Sequence, residues 1–149
     1  MTAVDVEELA KKQGLKPNLQ LFADDIGEPI YKVINGEKRN IRIFEGRQGK
    51  HIKGHNNYEN AVKNGKNPSI FEGTIEEAQK LTDEFAGKGK WDKLCHKEVV
   101  DFGKIIGERV DPETGIGTPT TRGTIHYSKK GVHIVPAKPN SLINKLGDV

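Results

Sequence analysis

The run Thr121-Arg122-Gly123-Thr124-Ile125-His126-Tyr127-Ser128-Lys129-Lys130-Gly131-Val132-His133-Ile134-Val135-Pro136 decides how the rest of this chain is read. Ile125 and Tyr127, then Val132 and Ile134, alternate with the period of two that half-buried strands require. Between them Lys130-Gly131 offers the glycine of a tight turn, so the stretch predicts a β-hairpin. A two-residue loop at Lys130-Gly131 sets Ser128 opposite His133 and gathers His126, Ser128 and His133 on one face, because directly paired residues share a face. A three-residue loop that includes Lys129 slips the pairing by one and turns His133 to the other face. In either register His126 and Ser128 point the same way, and Ile125 and Tyr127 point into the core.

Outward from this hairpin the chain reads as α+β. Glu98 to Val110 reads as one strand with bulges at Gly103 and Gly107. Asp111-Pro112-Glu113-Thr114-Gly115 is a turn leading to a strand over residues 120–128. Upstream, Thr74 and Glu77 form a capping box, and Ile75, Ala78, Leu81 and Phe85 make one apolar helical face ending at Gly87. Asn56 or Asn57 caps a shorter helix that runs to Val62 and stops at Gly65. Residues 30–35 and 40–44 can pair around Asn35-Gly36. Residues 2–13 suggest a short amphipathic helix with Gly14 as its stop. The expected organisation is a leader or linker over residues 1–45, a functional domain over 46–139 and a tail over 140–149.

Composition narrows the function. The chain has 149 residues, a hydrophobic fraction of 34% and an aromatic fraction of 6%, so a single small core is expected. Lys plus Arg number 24 against 21 acidic residues. The excess is small, but it is unevenly placed. Lys38, Arg39, Arg42, Arg47, Lys50 and Lys53 face only Glu45 over residues 38–53, and residues 122–138 carry no acid at all. The two histidine-bearing segments are therefore the basic ones, which suits a polyanionic substrate and equally suits solvated basic loops. Cys95 is the only cysteine, which excludes an internal disulfide and a cysteine-based zinc site. No apolar run approaches a membrane span, and the N-terminus lacks the layout of a Sec-type signal peptide, so a soluble chain is expected.

The histidines at 51, 55, 96, 126 and 133 are the chemical resource. His51 and His55 have the spacing of metal ligands on a helix, but Gly54 interrupts the segment and no glutamate stands at position 52. Cleaving RNA needs a base for the 2′-hydroxyl proton and an acid for the leaving 5′-oxygen, and imidazole can serve as either near neutral pH. The phosphorane formed on the way needs cations and hydrogen-bond donors. His126, Ser128, Lys129 and His133, with Lys50 and His51 brought in from elsewhere, supply these parts. Ordinary surface histidines account for the same residues, and the residues alone leave both readings open. Thr118, Thr120, Thr121 and Arg122 could hold a phosphate or form a polar loop. Tyr58 and Trp91 could stack on bases or serve the core. His96, beside Trp91 and Leu94, reads as structural.

Three blocks together resemble the polymorphic toxin type 50 family: Lys50-His51-Ile52-Lys53-Gly54-His55-Asn56-Asn57-Tyr58, then Val100-Asp101-Phe102-Gly103, then residues 120–136. The resemblance covers roughly residues 46–139. It implies a metal-independent ribonuclease without cofactors, with N-terminal helices on a roughly four-stranded antiparallel sheet of the barnase/EndoU/colicin/RelE-like kind. It also implies His51, His126 and His133 as site histidines, Ser128 and Lys129 as companions, and a threonine at Thr120 or Thr121. In that scheme His51 and His126 are the acid–base pair, and Lys129 stabilises the phosphorane. Ser128, Thr121 and His133 orient the phosphate, while Lys50, Thr120, Arg122 and Tyr58 bind substrate. The partners implied are RNA and an immunity protein, in the cytoplasm of a producing or target bacterium. Leu19-Gln20-Leu21-Phe22-Ala23, after Pro17-Asn18, resembles the opening of some tailed-phage structural proteins and would fit a phage-borne gene with phage-particle partners. The rival expectation is a non-catalytic nucleic-acid-binding or phage-associated module that keeps the toxin fold.

Overall fold

The computed structural model describes residues 28–139, which leaves the helix expected over 2–13 and the phage-like Leu19–Ala23 segment outside the described residues. The fold is α+β, as expected, and the described residues contribute nine strands in three antiparallel sheets. The four-stranded sheet, in the order β4-β5-β8-β9, carries the site: β4 is Lys90–Trp91, β5 Lys97–Asp101, β8 Arg122–Ser128 and β9 Gly131–Pro136. A three-stranded sheet runs β3-β6-β7, from Ile70–Phe71, Gly107–Val110 and Gly117–Thr120. β1 (Tyr31–Ile34) and β2 (Glu37–Asn40) form a separate hairpin. The helices are α1 (Glu45–Gln48), α2 (Asn56–Lys63) and α3 (Ile75–Phe85). They follow the first hairpin and are interleaved with β3, so they are not strictly N-terminal.

The alternation in the hairpin does what its period demands. Ile125, Val132 and Ile134 are fully buried, while His126, Ser128 and His133 stand on the opposite face. Burying each such aliphatic side chain contributes roughly 1.5–3 kcal/mol, which is why the parity of the strand is strongly specified. Phe71, Ala78, Leu81, Val100, Phe102 and Ile106 complete this core, so α3 packs its predicted apolar face there. Its capping box is present: the Thr74 hydroxyl accepts from the Glu77 N–H at 3.1 Å, and the Thr74 N–H donates to the Glu77 carboxylate at 3.3 Å.

The hairpin register corrects the expectation. The loop is Lys129-Lys130, with Ser128 opposite Gly131 and His126 directly opposite His133. Relative to a Lys130-Gly131 loop the pairing shifts by two, so the face is kept and only the partner changes. Gly131 is needed for another reason. Its φ is +130°, and a Cβ there would lie 2.3 Å from the Arg42 carbonyl oxygen. That close approach exists because residues 42–44 run alongside β9. Val132 N–H donates to the Arg42 carbonyl at 2.8 Å and Phe44 N–H to the Val132 carbonyl at 2.7 Å. From α3, the Gln79 amide bonds the same segment through the Ile43 N–H and the Ile41 carbonyl.

Three further expectations change. Residues 98–110 are two strands in different sheets, because the chain turns at Phe102–Ile106 and both of these side chains go inward. Across from them, the stretch over 120–128 breaks at Thr121, whose carbonyl accepts from Phe102 N–H at 2.8 Å. The turn at Asn35-Gly36 forms with positive φ at both residues, but it joins Tyr31–Ile34 to Glu37–Asn40; beyond them Ile41 N–H donates to the Ile30 carbonyl at 2.7 Å, and Ile43 instead bridges to Val132. That hairpin is not loose. Ile34 and Ile41 form a second small core with Ala86, against Trp91 and Tyr127. Among the described residues no helix is long and apolar enough to cross a membrane.

Candidate active site

A row of polar side chains crosses the outer face of the four-stranded sheet. Lys97 on β5 pairs with His126 on β8, and His126 pairs with His133 on β9. The imidazoles of His126 and His133 stack, with centroids 4.7 Å apart and planes 12° from parallel. His51 extends the stack from beyond the sheet edge, 6.1 Å from His133 and 11° from parallel. Residues 75 and 82 positions further along the sequence than His51 thus join it in one column with His133 in the middle.

His51 is delivered by a 3-10 turn over Gly49–His51 that continues α1. Gln48, fully buried, ties α1 to the sheet: its amide donates to the Ile134 carbonyl at 2.9 Å and accepts from the Ile134 N–H at 2.7 Å. The next residue along β9 from that anchor is His133. His51 Nδ1 lies 2.8 Å from the Ser69 carbonyl oxygen. A carbonyl only accepts, so Nδ1 carries the proton and Nε2 of the neutral ring keeps its lone pair.

The surroundings favour neutral rings. His133 is pushed down to about 3, first by burial and then by the positive charge of His126, His51, Arg47 and Lys50. His126 is lowered by burial, then by Lys97, His51 and Arg47, with Asp92 acting in the other direction. Burial lowers His51 as well; its bond to Ser69 opposes this and Lys50 adds to it. Burial opposes ionisation of Asp92, but the N–H groups of Lys97 and His96 and the nearby cations outweigh it and hold the carboxyl below its usual range. Arg47, Asp92, Lys97, His126, Ser128 and His133 share a cleft of about 380 Å³. On the far side of the stack, His51 and Lys50 border a larger groove of about 660 Å³ along α2.

The structure gathers some of the expected site residues and separates others. His51, His126 and His133 come together, Ser128 lines the same cleft with its hydroxyl donating to the Gly131 carbonyl at 2.9 Å, and Lys50 stands beside His51. Lys129 is exposed at the turn and faces a different cleft, with Tyr31, Lys38 and Arg39. Thr120 is buried, its hydroxyl accepting from the Arg122 N–H at 3.1 Å, and Thr121 lies at the break between β7 and β8. Arg122 shares the outer face with His126 but donates to the Lys138 carbonyl at 3.3 Å. Tyr58 is half-buried in α2, and Trp91 packs on Tyr127 under the Arg39 guanidinium. His96, expected as structural, is exposed at the cleft.

Two cations were not anticipated as site residues. Arg47 belongs to the basic run at 38–53, which was the available signal; Lys97 carries no local signal, because only the β5–β8 register brings it to His126. His55 is the N-cap of α2, one residue before the expected caps: its Nδ1 accepts from the Asn57 N–H at 3.1 Å. Its ring packs so closely on Gly49 that a Cβ there would lie 2.4 Å from it. The 51/55 pair is therefore a stack member and a helix cap, not two ligands on one helical face. Among the described residues no group of three His, Cys, Asp or Glu side chains could hold a metal ion, and parallel rings do not aim their nitrogens at one point.

A stacked trio of histidines thus lies among cations on one face of an antiparallel sheet. The family model described as bacterial toxin 50 matches residues 43–136, the segment that holds the whole site, and the chain belongs to that toxin family. No curated protein matches the chain.

Proposed function

We propose that this toxin domain is an endoribonuclease that cleaves RNA without a metal, by attack of the 2′-hydroxyl on the adjacent phosphate. The observation that carries this reading is the histidine stack itself, bordered by Arg47, Lys50 and Lys97. His51 is the base: Nε2 takes the 2′-hydroxyl proton because Nδ1–H is held by Ser69. As the 2′-oxygen bonds to phosphorus, the bond from phosphorus to the 5′-oxygen breaks. His126, protonated and beside Asp92, gives that oxygen its proton. The products are a 2′,3′-cyclic phosphate and a 5′-hydroxyl.

His133 stays neutral between the two and keeps their rings apart and parallel. Arg47 and Lys97, which line the cleft, neutralise the phosphorane, and Lys129 lines the adjoining cleft beyond Ser128; Ser128 remains an acceptor and donor at the cleft wall. A cognate immunity protein would meet this cationic face with carboxylates.

The test is direct. The purified chain, in chelator, is incubated with a single-stranded RNA and with the same strand 2′-O-methylated throughout. Cleavage of the first alone, ending in cyclic phosphate, is expected. His51→Ala and His126→Ala should each slow it about 10²–10⁴-fold. Equal cleavage by the variants, or of the methylated strand, sinks the reading.

A further inference from the structure

The groove on the other side of His51 is lined by four asparagines, Asn57, Asn60, Asn64 and Asn67. Its long wall is α2, a helix in which no residue is buried, so its sequence is not dictated by the core. Asn57, Asn60 and Asn64 lie along one face of that helix, at spacings of three and four. Ala61 stands between the last two, which leaves the wall open there.

Two amides have structural duties. Asn57 donates to the Gly46 carbonyl at 2.7 Å, and Asn67, on the opposite wall, donates to the Pro112 carbonyl at 3.0 Å. These bonds tie the groove's two ends to α1 and to the β6–β7 turn. Asn60 and Asn64 are exposed, and their side-chain amides bond to no other described residue. Lys50 and Lys66 stand at the rim, Pro68 contributes an apolar wall, and among the described residues no carboxylate lines the groove.

Each of these features suits a nucleotide. An amide presents a donor and an acceptor together, the pairing that reads a base edge. Lysines at the rim meet phosphates as point charges. The volume of about 660 Å³ is within the range of small-ligand sites, ~300–1,000 Å³. The groove also ends at His51, so a strand whose scissile phosphate lies on the histidine stack has its neighbouring nucleotide at Asn60 and Asn64.

We propose that the α2 groove is a base-reading subsite for single-stranded RNA, in which Asn60 and Asn64 select the base and Lys50 and Lys66 hold its phosphates. The inference rests on the ribonuclease reading for its choice of RNA, but its test does not require cleavage. Fluorescence anisotropy would measure binding of short 2′-O-methylated homopolymers of A, C, G and U, which cannot be cut, to the full chain. The parent should prefer one base. The Asn60→Ala, Asn64→Ala double variant should lose about tenfold or more of its affinity for that base and bind all four alike. Lys66→Ala should weaken all four equally.

Both asparagines are exposed, so an unchanged melting temperature will confirm that the variant is folded. Absence of binding by the parent, or an unchanged preference in the double variant, overturns the proposal. If the chain cuts RNA while the double variant keeps the parent's base preference, the subsite fails and the ribonuclease stands. If nothing is cut while the variant loses its preference, the reverse holds.

Discussion

Gln48 substitutes for a missing strand at Ile134. Its amide makes both hydrogen bonds that a neighbouring β-strand would make to that residue, at 2.9 and 2.7 Å. β9 is the outer strand of its sheet, and two elements cover its edge: residues 42–44 near Val132 and Gln48 at Ile134. An uncovered edge would invite pairing with another chain. Here the cover also carries function, since the turn that follows Gln48 presents Lys50 and His51 to the stack.

Gln48→Ala should therefore cost more than an ordinary hydrogen bond. It leaves a buried N–H and a buried carbonyl without partners, at about 1–3 kcal/mol each. Thermal unfolding followed by circular dichroism should show a drop on the order of 10 °C. An unchanged melting temperature would mean that water or another side chain replaces the amide.

What could be read from the sequence was local. The face of His126, Ser128 and Ile125 follows from alternation alone, and the α3 capping box from residues three apart. The hairpin register was not legible, because Gly131 marks a close approach to the Arg42 carbonyl rather than the turn itself. Gly103 and Gly107 looked like bulges in one strand, whereas the chain there changes sheets. Lys97 reaches His126 only through pairing across 29 positions, and Arg47 reaches the cleft only because Gln48 docks α1. Neither leaves a short-range pattern.

The lowered histidines set the pH dependence of activity. In the free enzyme, kcat/KM reports the pKa values of the essential base and acid and peaks between them. Burial, then neighbouring charge, lowers both His51 and His126 below 6.5. The optimum of kcat/KM should accordingly fall on the acid side of pH 6.5. Added salt screens the cations and should move it upward, at the cost of RNA affinity. A profile centred above pH 7 at low salt would contradict the assignment of these two residues.

Stability should respond in the same range. A histidine whose folded pKa is depressed stabilises the fold fully above its unfolded value of 6.5, and this contribution is lost as pH falls towards the folded value. For His133 that window runs from 6.5 down to about 3. Each ring that stays neutral while its unfolded counterpart takes up a proton costs about 1.4 kcal/mol per pH unit. Melting temperatures should begin to fall below pH 6.5, before carboxylates protonate. His133→Gln should flatten that decline between pH 6 and 5, and an identical slope in both proteins would count against a buried neutral ring.

Lys97 tests the row across the sheet. It faces His126 from β5 and is, after burial, the largest cause of that ring's lowered pKa. Lys97→Gln removes the charge and keeps most of the side chain's length, so the fold should hold. NMR titration of the His126 ring protons should then show a pKa higher than in the parent, while that of His51, for which Lys97 is not a cause, stays where it was. Activity should fall at the same time, because the phosphorane loses a cation. The two effects separate cleanly: a rise in the His126 pKa with full activity would leave Lys97 as a neighbour of the acid with no part in holding the phosphate.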